Sequence, residues 1–159
     1  VKTDMAKQLS PTATMLFDSG TPGVSVIYEK ACEIVATAKK VYFVSQMCPS
    51  GKLAKLLTHT ENECFFIHAR QADTPSNIAL LVDQARYSIV NSYKGKRYIH
   101  AKFILCEDAA GDKHVLSGSN NFSWRGVAYG TKEIAVHSTD PGLWQTFYEY
   151  MQKEIVHES

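Results

Sequence analysis

Val24, Ile27, Ala31, Ile34, Val35 and Ala38 recur at the spacing of one helix face, directly after Thr21-Pro22, a capping residue followed by proline at the first helical position. This predicts a helix over 22–40. The period then changes. Residues 41–45 form a short β-branched and aromatic run typical of a buried strand, and Pro49-Ser50-Gly51 breaks it before a second amphipathic stretch over 52–58. Further along, 63–69 predicts a strand, and Thr74-Pro75 caps a third helix whose apolar positions are Ile78, Leu81, Val82 and Ala85. A strand over 88–91 and a polar loop over 92–97, with Lys94, Lys96 and Arg97, follow. Segments 98–106 and 114–117 read as two strands joined through Ala109-Ala110-Gly111-Asp112. The chain closes with a strand over 133–137 and a helix over 141–156, on which Leu143, Trp144, Phe147, Tyr148, Met151 and Ile155 form an apolar face read as core packing. Such alternation predicts an α/β fold, a mixed β-sheet flanked by helices on both faces in an α-β-α sandwich. Residues 1–20 are polar and broken by Pro11 and Ser19-Gly20, and read as an extended arm with one short strand over 14–17. Residues 21–159 read as a single domain.

A chain of 159 residues with 45% hydrophobic content is long enough to bury a core of its own. No apolar run approaches the roughly 20 residues of a membrane span, and no basic-then-apolar leader opens the sequence. The 17 basic and 16 acidic residues nearly cancel, so bulk electrostatics do not mark a dedicated nucleic-acid binder, although a neutral protein can still carry a basic groove. Cys32, Cys48, Cys64 and Cys106 form no Cys-x-x-Cys pair and read as reduced thiols of a cytoplasmic protein. Cys64 and His68 lack the second ligand pair that a zinc site needs.

The chemistry concentrates between His100 and Glu133. On a pleated strand residues two apart share a face, so the expected 98–106 strand would point His100 and Lys102 the same way. Gly118-Ser119-Asn120-Asn121 follows the next strand. A phosphodiester is a kinetically inert anion. Breaking it calls for a nucleophile, for positive charge or donors on the non-bridging oxygens, and for an acid on the leaving oxygen. His100 can be the nucleophile, Lys102 a point charge, and Ser119 and Asn121 neutral donors, while Glu133 can hold an imidazole in one tautomer. That set requires no metal and no organic cofactor.

The stretches HAKFILCED and VLSGSNNFSWRGVAYGTKEIAV resemble the signature of the phospholipase D superfamily: His-x-Lys, four residues, Asp, then Gly-Ser with Asn shortly after. The resemblance implies that His100 is the nucleophilic histidine, Lys102 the phosphate-binding lysine, and Ser119 and Asn121 the side chains after Gly118 that bind substrate. It places Glu133 where many members carry an acidic residue that orients a catalytic histidine. Four residues after Lys102 stands Glu107, with Asp108 next, where the family has Asp; either carboxylate could take that supporting role. The segment between Glu107 and Gly118 is also about four residues longer than usual, which a turn absorbs at little cost.

Family members work with two facing copies of this motif, one histidine attacking and the other protonating the leaving group, and this sequence holds one copy. The second then comes from a homodimer partner or from the rest of a longer chain, for which Val1 in place of a starting methionine speaks. His59, His68, His114, His137 and His157 lack the Lys and Gly-Ser-Asn context. Trp124-Arg125 could meet a headgroup or phosphate, although a surface Trp beside a solvated Arg is the ordinary arrangement. The implied activity is a metal-independent phosphodiesterase or phosphatidyltransferase working through a phosphohistidine, in the cytoplasm or peripherally at a membrane. A phospholipid substrate is slightly favoured, with a homodimeric nuclease cleaving DNA or RNA as the alternative. A third reading is a non-catalytic half that binds an anion or completes a partner.

Overall fold

The computed structural model describes residues 3–47, 49–58, 62–68, 87–90 and 98–156. Its core is an eight-stranded mixed sheet in the order β1-β2-β8-β7-β6-β3-β4-β5. The strands are β1 (Met5–Ser10), β2 (Ala13–Ser19), β3 (Ala38–Ser45), β4 (Glu63–His68), β5 (Tyr87–Val90), β6 (Phe103–Asp108), β7 (Lys113–Gly118) and β8 (Lys132–Ser138). Pairs β3–β4 and β4–β5 are parallel, and the remaining ladders are antiparallel. Helices α1 (Val26–Ala36) and α2 (Gly51–Leu57) connect the first strands, and α3 (Trp124–Tyr129) lies between β7 and β8. Helix α4 (Pro141–Tyr150) runs on into a π-helical turn over Met151–Val156. The expected helix over 74–85, the loop over 92–97, Cys48, His59 and His157 lie outside the described residues.

Alternation along the central strands feeds two cores. Phe43, Ile104, Cys106 and Leu116 point to the face covered by α1 and α2, where Ile27, Ala31, Val35 and Leu53 meet them. Tyr42, Val44, Phe103, Leu105 and Val115 point to the other, covered by Trp144, Met151 and Ile155. Burying each large apolar side chain contributes roughly 1.5–3 kcal/mol, so the central strands are held from both sides. That explains why Phe103–Cys106 reads as unbroken hydrophobicity: β6 has no solvent face, and Trp144 Nε1 even donates to the Cys106 carbonyl at 3.2 Å. The α-β-α sandwich expected from the pattern is the architecture found.

The N-terminal twenty residues form more structure than the sequence suggests. A hairpin of β1 and β2 joins the sheet, with β2 paired to β8 from Ala13↔Ser138 to Ser19↔Lys132. Helix α1 begins four residues later than expected, because Gly23 at φ 80° interrupts the run after Pro22 and Ser25 is the cap, its Oγ accepting from Tyr28 N at 3.0 Å. Two carboxylates from the hairpin accept the other open donors of this helix end: Asp4 from Val26 N at 2.6 Å and Asp18 from Ile27 N at 3.2 Å. The helix stops at Ala36, and residues 38–40 belong to β3, where Ala38 is buried.

Candidate active site

The strand expected over 98–106 starts only at Phe103, so His100 and Lys102 sit on an extended lead-in. The ladder stops for a physical reason. Phe103 pairs with Ser117 and Gly118 N donates to the Lys102 carbonyl at 3.3 Å, but Ser119 N then turns to the Ile134 carbonyl of β8 at 3.0 Å. Among the described residues no neighbouring strand remains for His100 and Ala101. The two side chains nonetheless share one open cavity of about 630 Å³ with Gly118, Ser119, Phe147 and Tyr150. Lys102 Nζ donates to the His100 carbonyl at 2.8 Å and lies 3.4 Å from the imidazole Nδ1. His100 is exposed, with its ring edge-on to Tyr98 at 6.4 Å.

Lys102 is 9% exposed, and desolvation holds its ammonium below the ordinary lysine value while the Glu133 carboxylate pushes back up. Glu133 opens β8 and accepts a short hydrogen bond from the Ser119 hydroxyl, whose oxygen accepts from Ile134 N at 3.1 Å. Gly118 permits this crossing of β7 and β8: a Cβ there would collide with the Ile134 carbonyl and stand 2.6 Å from Ala135 Cα. Asn121 is fixed from the adjoining end of β3. The fully buried Ser45 hydroxyl lies 3.2 Å from its backbone carbonyl and 3.4 Å from Oδ1, which leaves the amide NH₂ as the donor to offer.

His100, Lys102, Ser119 and Glu133 are thus brought to one end of β6, β7 and β8, with Asn121 beside Glu133 in an adjoining cleft. Glu107 and Asp108 are not. They end β6 at the far end of the sheet, about 16 and 20 Å along the strand from Lys102 at ~3.3 Å per residue. Glu107 pairs with Lys113 in the ladder, and Asp108 Oδ1 accepts from Ala110 N and Asp112 N, both at 2.9 Å. Asp108 therefore closes the turn after β6, and neither carboxylate supports the site directly. Sequence reasoning passed over Asn120, which is buried and whose Oδ1 accepts from Phe122 N at 2.6 Å, holding Phe122 at φ 58°. Phe122 packs fully buried against Phe43, so the loop bearing Ser119 and Asn121 is anchored in the core. Tyr150 was also missed, and Phe147, read as core, lines the cavity; position 150 falls outside the core-facing helical stripe. Among the described residues, the other imidazoles with placed side chains are His114 and His137, bonded to each other at 3.0 Å across the other ends of β7 and β8. No helix among the described residues is long and apolar enough to cross a membrane.

In sequence, neither a protein-family model nor a curated protein matches the chain. In structure it is similar to Nuc from Salmonella typhimurium, a phospholipase D family member, with a TM-score of 0.71 at 18% identity over 91% of this chain and 94% of Nuc. NucT from Helicobacter pylori gives 0.66 at 15% identity over 81% and 87%. Yeast tyrosyl-DNA phosphodiesterase gives 0.53 at 14% identity over 78% of this chain but 32% of its own. With the sheet and the flanking helices already described, these likenesses show the fold: the chain shares the architecture of Nuc, a phospholipase D family member, and of NucT.

Proposed function

We propose that the protein is a phosphodiesterase acting on nucleic-acid phosphodiesters through a phosphohistidine at His100. The observation that carries this reading is the convergence of His100, Lys102 and Ser119 on one open cavity, with Glu133 bonded to Ser119 beside them. A ring nitrogen of His100 attacks phosphorus, the bond to the leaving oxygen breaks, and that oxygen takes a proton from a second imidazole. Water or an alcohol then attacks phosphorus, its proton returns to the second imidazole, and the phosphorus–nitrogen bond breaks to restore free His100. Lys102 supplies fixed positive charge for the non-bridging oxygens, and the Asn121 amide a neutral donor. Similarity to a tyrosyl-DNA phosphodiesterase supports nucleic acid over the phospholipid that near-neutral charge and the single motif slightly favour.

The second imidazole is proposed to come from a second copy of the chain, because His114 and His137 face away at the other end of the sheet. Replacing His100→Asn should lower turnover of a DNA substrate by more than ~10³-fold with circular dichroism unchanged. Turnover within tenfold of the parent would reject the nucleophile. Mixing His100→Asn into the parent protein should also depress specific activity more steeply than dilution, since mixed pairs lose a shared site. A strictly linear loss would reject the paired arrangement and leave the nucleophile standing.

A further inference from the structure

We infer that Arg125 and Tyr129 form a subsite for the nucleotide next to the scissile phosphate, stacking its base on the Tyr129 ring and drawing its phosphate to the guanidinium. This rests on the nucleic-acid reading above and names the subsite that reading lacks. Tyr129 is 71% exposed, the most exposed large apolar side chain among the described residues, and the Arg125 guanidinium lies 5.6 Å from its ring centroid. Both line a cleft of about 230 Å³ that also takes in Asn121 and Glu133. Glu133 accepts from Ser119, which lines the His100 cavity, so the two clefts meet at the Ser119–Glu133 pair.

The chemistry favours a base over an acyl chain. The cleft is smaller than the ~300 Å³ at which ligand pockets usually begin. Its apolar wall carries Met47 and Tyr129 and is bounded by Asn121, Arg125 and Glu133. A flat ring edged by donors and acceptors matches that outline, and aromatic side chains paired with arginine are the common device for holding unpaired bases without sequence preference. Tyr98 and Tyr150, 42% and 48% exposed, line a further cleft with His100, and Tyr150 also lines the His100 cavity. A single strand crossing the nucleophile would thus meet further aromatic surface beside it.

The test is fluorescence anisotropy with labelled oligothymidylate, carried out on the full chain in the His100→Asn background so that binding is read apart from turnover. Tyr129→Ala should weaken binding about tenfold, Tyr129→Phe less than twofold, and an abasic strand of equal length should show less than a twofold response to Tyr129→Ala. Arg125→Gln should lower the dependence of log Kd on log salt by about 0.7, the value for one single-strand phosphate contact. An unchanged Kd in Tyr129→Ala, an equal loss for the abasic strand, or Tyr129-dependent binding to phosphatidylglycerol vesicles without binding to the oligonucleotide would overturn the subsite. If the Tyr129 dependence appears but the parent protein cleaves nothing, the subsite stands and the catalytic reading falls. If cleavage occurs and Kd is indifferent, the subsite alone falls.

Discussion

Lys102 shows how a single side chain is tuned by its position. It lies almost out of solvent between the His100 carbonyl and the field of Glu133, and burial holds its proton less tightly than in free lysine. On the proposed mechanism this ammonium holds substrate oxygens, and because its proton is lost below the ordinary value of 10.5, the alkaline limb of kcat/KM should fall below that pH. Removing the negative charge with Glu133→Gln takes away the influence that raises the lysine. The limb should then move further toward neutrality, and a pH-rate profile in which it stays put or moves up would contradict the arrangement. Lys102→Met should cost ~10²–10³-fold in kcat/KM at neutral pH with the fold retained, as expected for losing one preorganised charge. At this scale the sequence was most informative, since the spacing of His100, Lys102, Ser119 and Asn121 already marks them as partners. That Glu107 and Asp108 lie away from the cavity was not legible, because spacing along a strand says nothing about which end of the sheet a residue reaches. Asn120 and Ser45 act through contacts that only the folded chain creates.

Elements were legible where the apolar period was strong and blurred at their ends. Strand β7 and helix α2 lie within a residue or two of expectation, whereas α1 lost its first four residues to Gly23 and its last to β3. The start of β6 was unreadable for a different reason: it depends on β7 turning toward β8 at Gly118, a contact across strands. Gly118 is accordingly the backbone hinge of the site. Gly118→Ala should destabilise the protein by about 2–3 kcal/mol in urea denaturation, because the added methyl meets backbone of β8 that cannot swing aside. A change below ~0.5 kcal/mol would mean that β8 is free to retreat. Asp4 and Asp18 extend the same lesson to α1, whose cap lies in a hairpin that polar composition had marked as an arm.

For the whole molecule, the two-faced sheet followed from alternation alone, while the strand order did not, because antiparallel partners need not be neighbours in sequence. The end of the sheet opposite the site carries its own pH response. Burial, with the Lys30 charge and His114 beside it, holds His137 down to about 4 from an ordinary 6.5. Between those values the unfolded chain binds more protons than the folded one, so stability falls as pH drops through that window. After allowance for solvent screening the loss is on the order of 1–2 kcal/mol. Urea midpoints at neutral and mildly acid pH should differ accordingly, and His137→Gln should flatten the difference; an unaltered slope in that variant would assign the effect elsewhere. The β2–β8 ladder has a kinetic consequence as well. It joins segments from opposite ends of the chain, and such contacts carry the largest loop-closure entropy and form late. The hairpin β6–β7 can form early from local contacts, but the strand that presents Glu133 is clamped only when Asp18 arrives opposite it, so the Ser119–Glu133 pair is among the last features fixed as the chain folds.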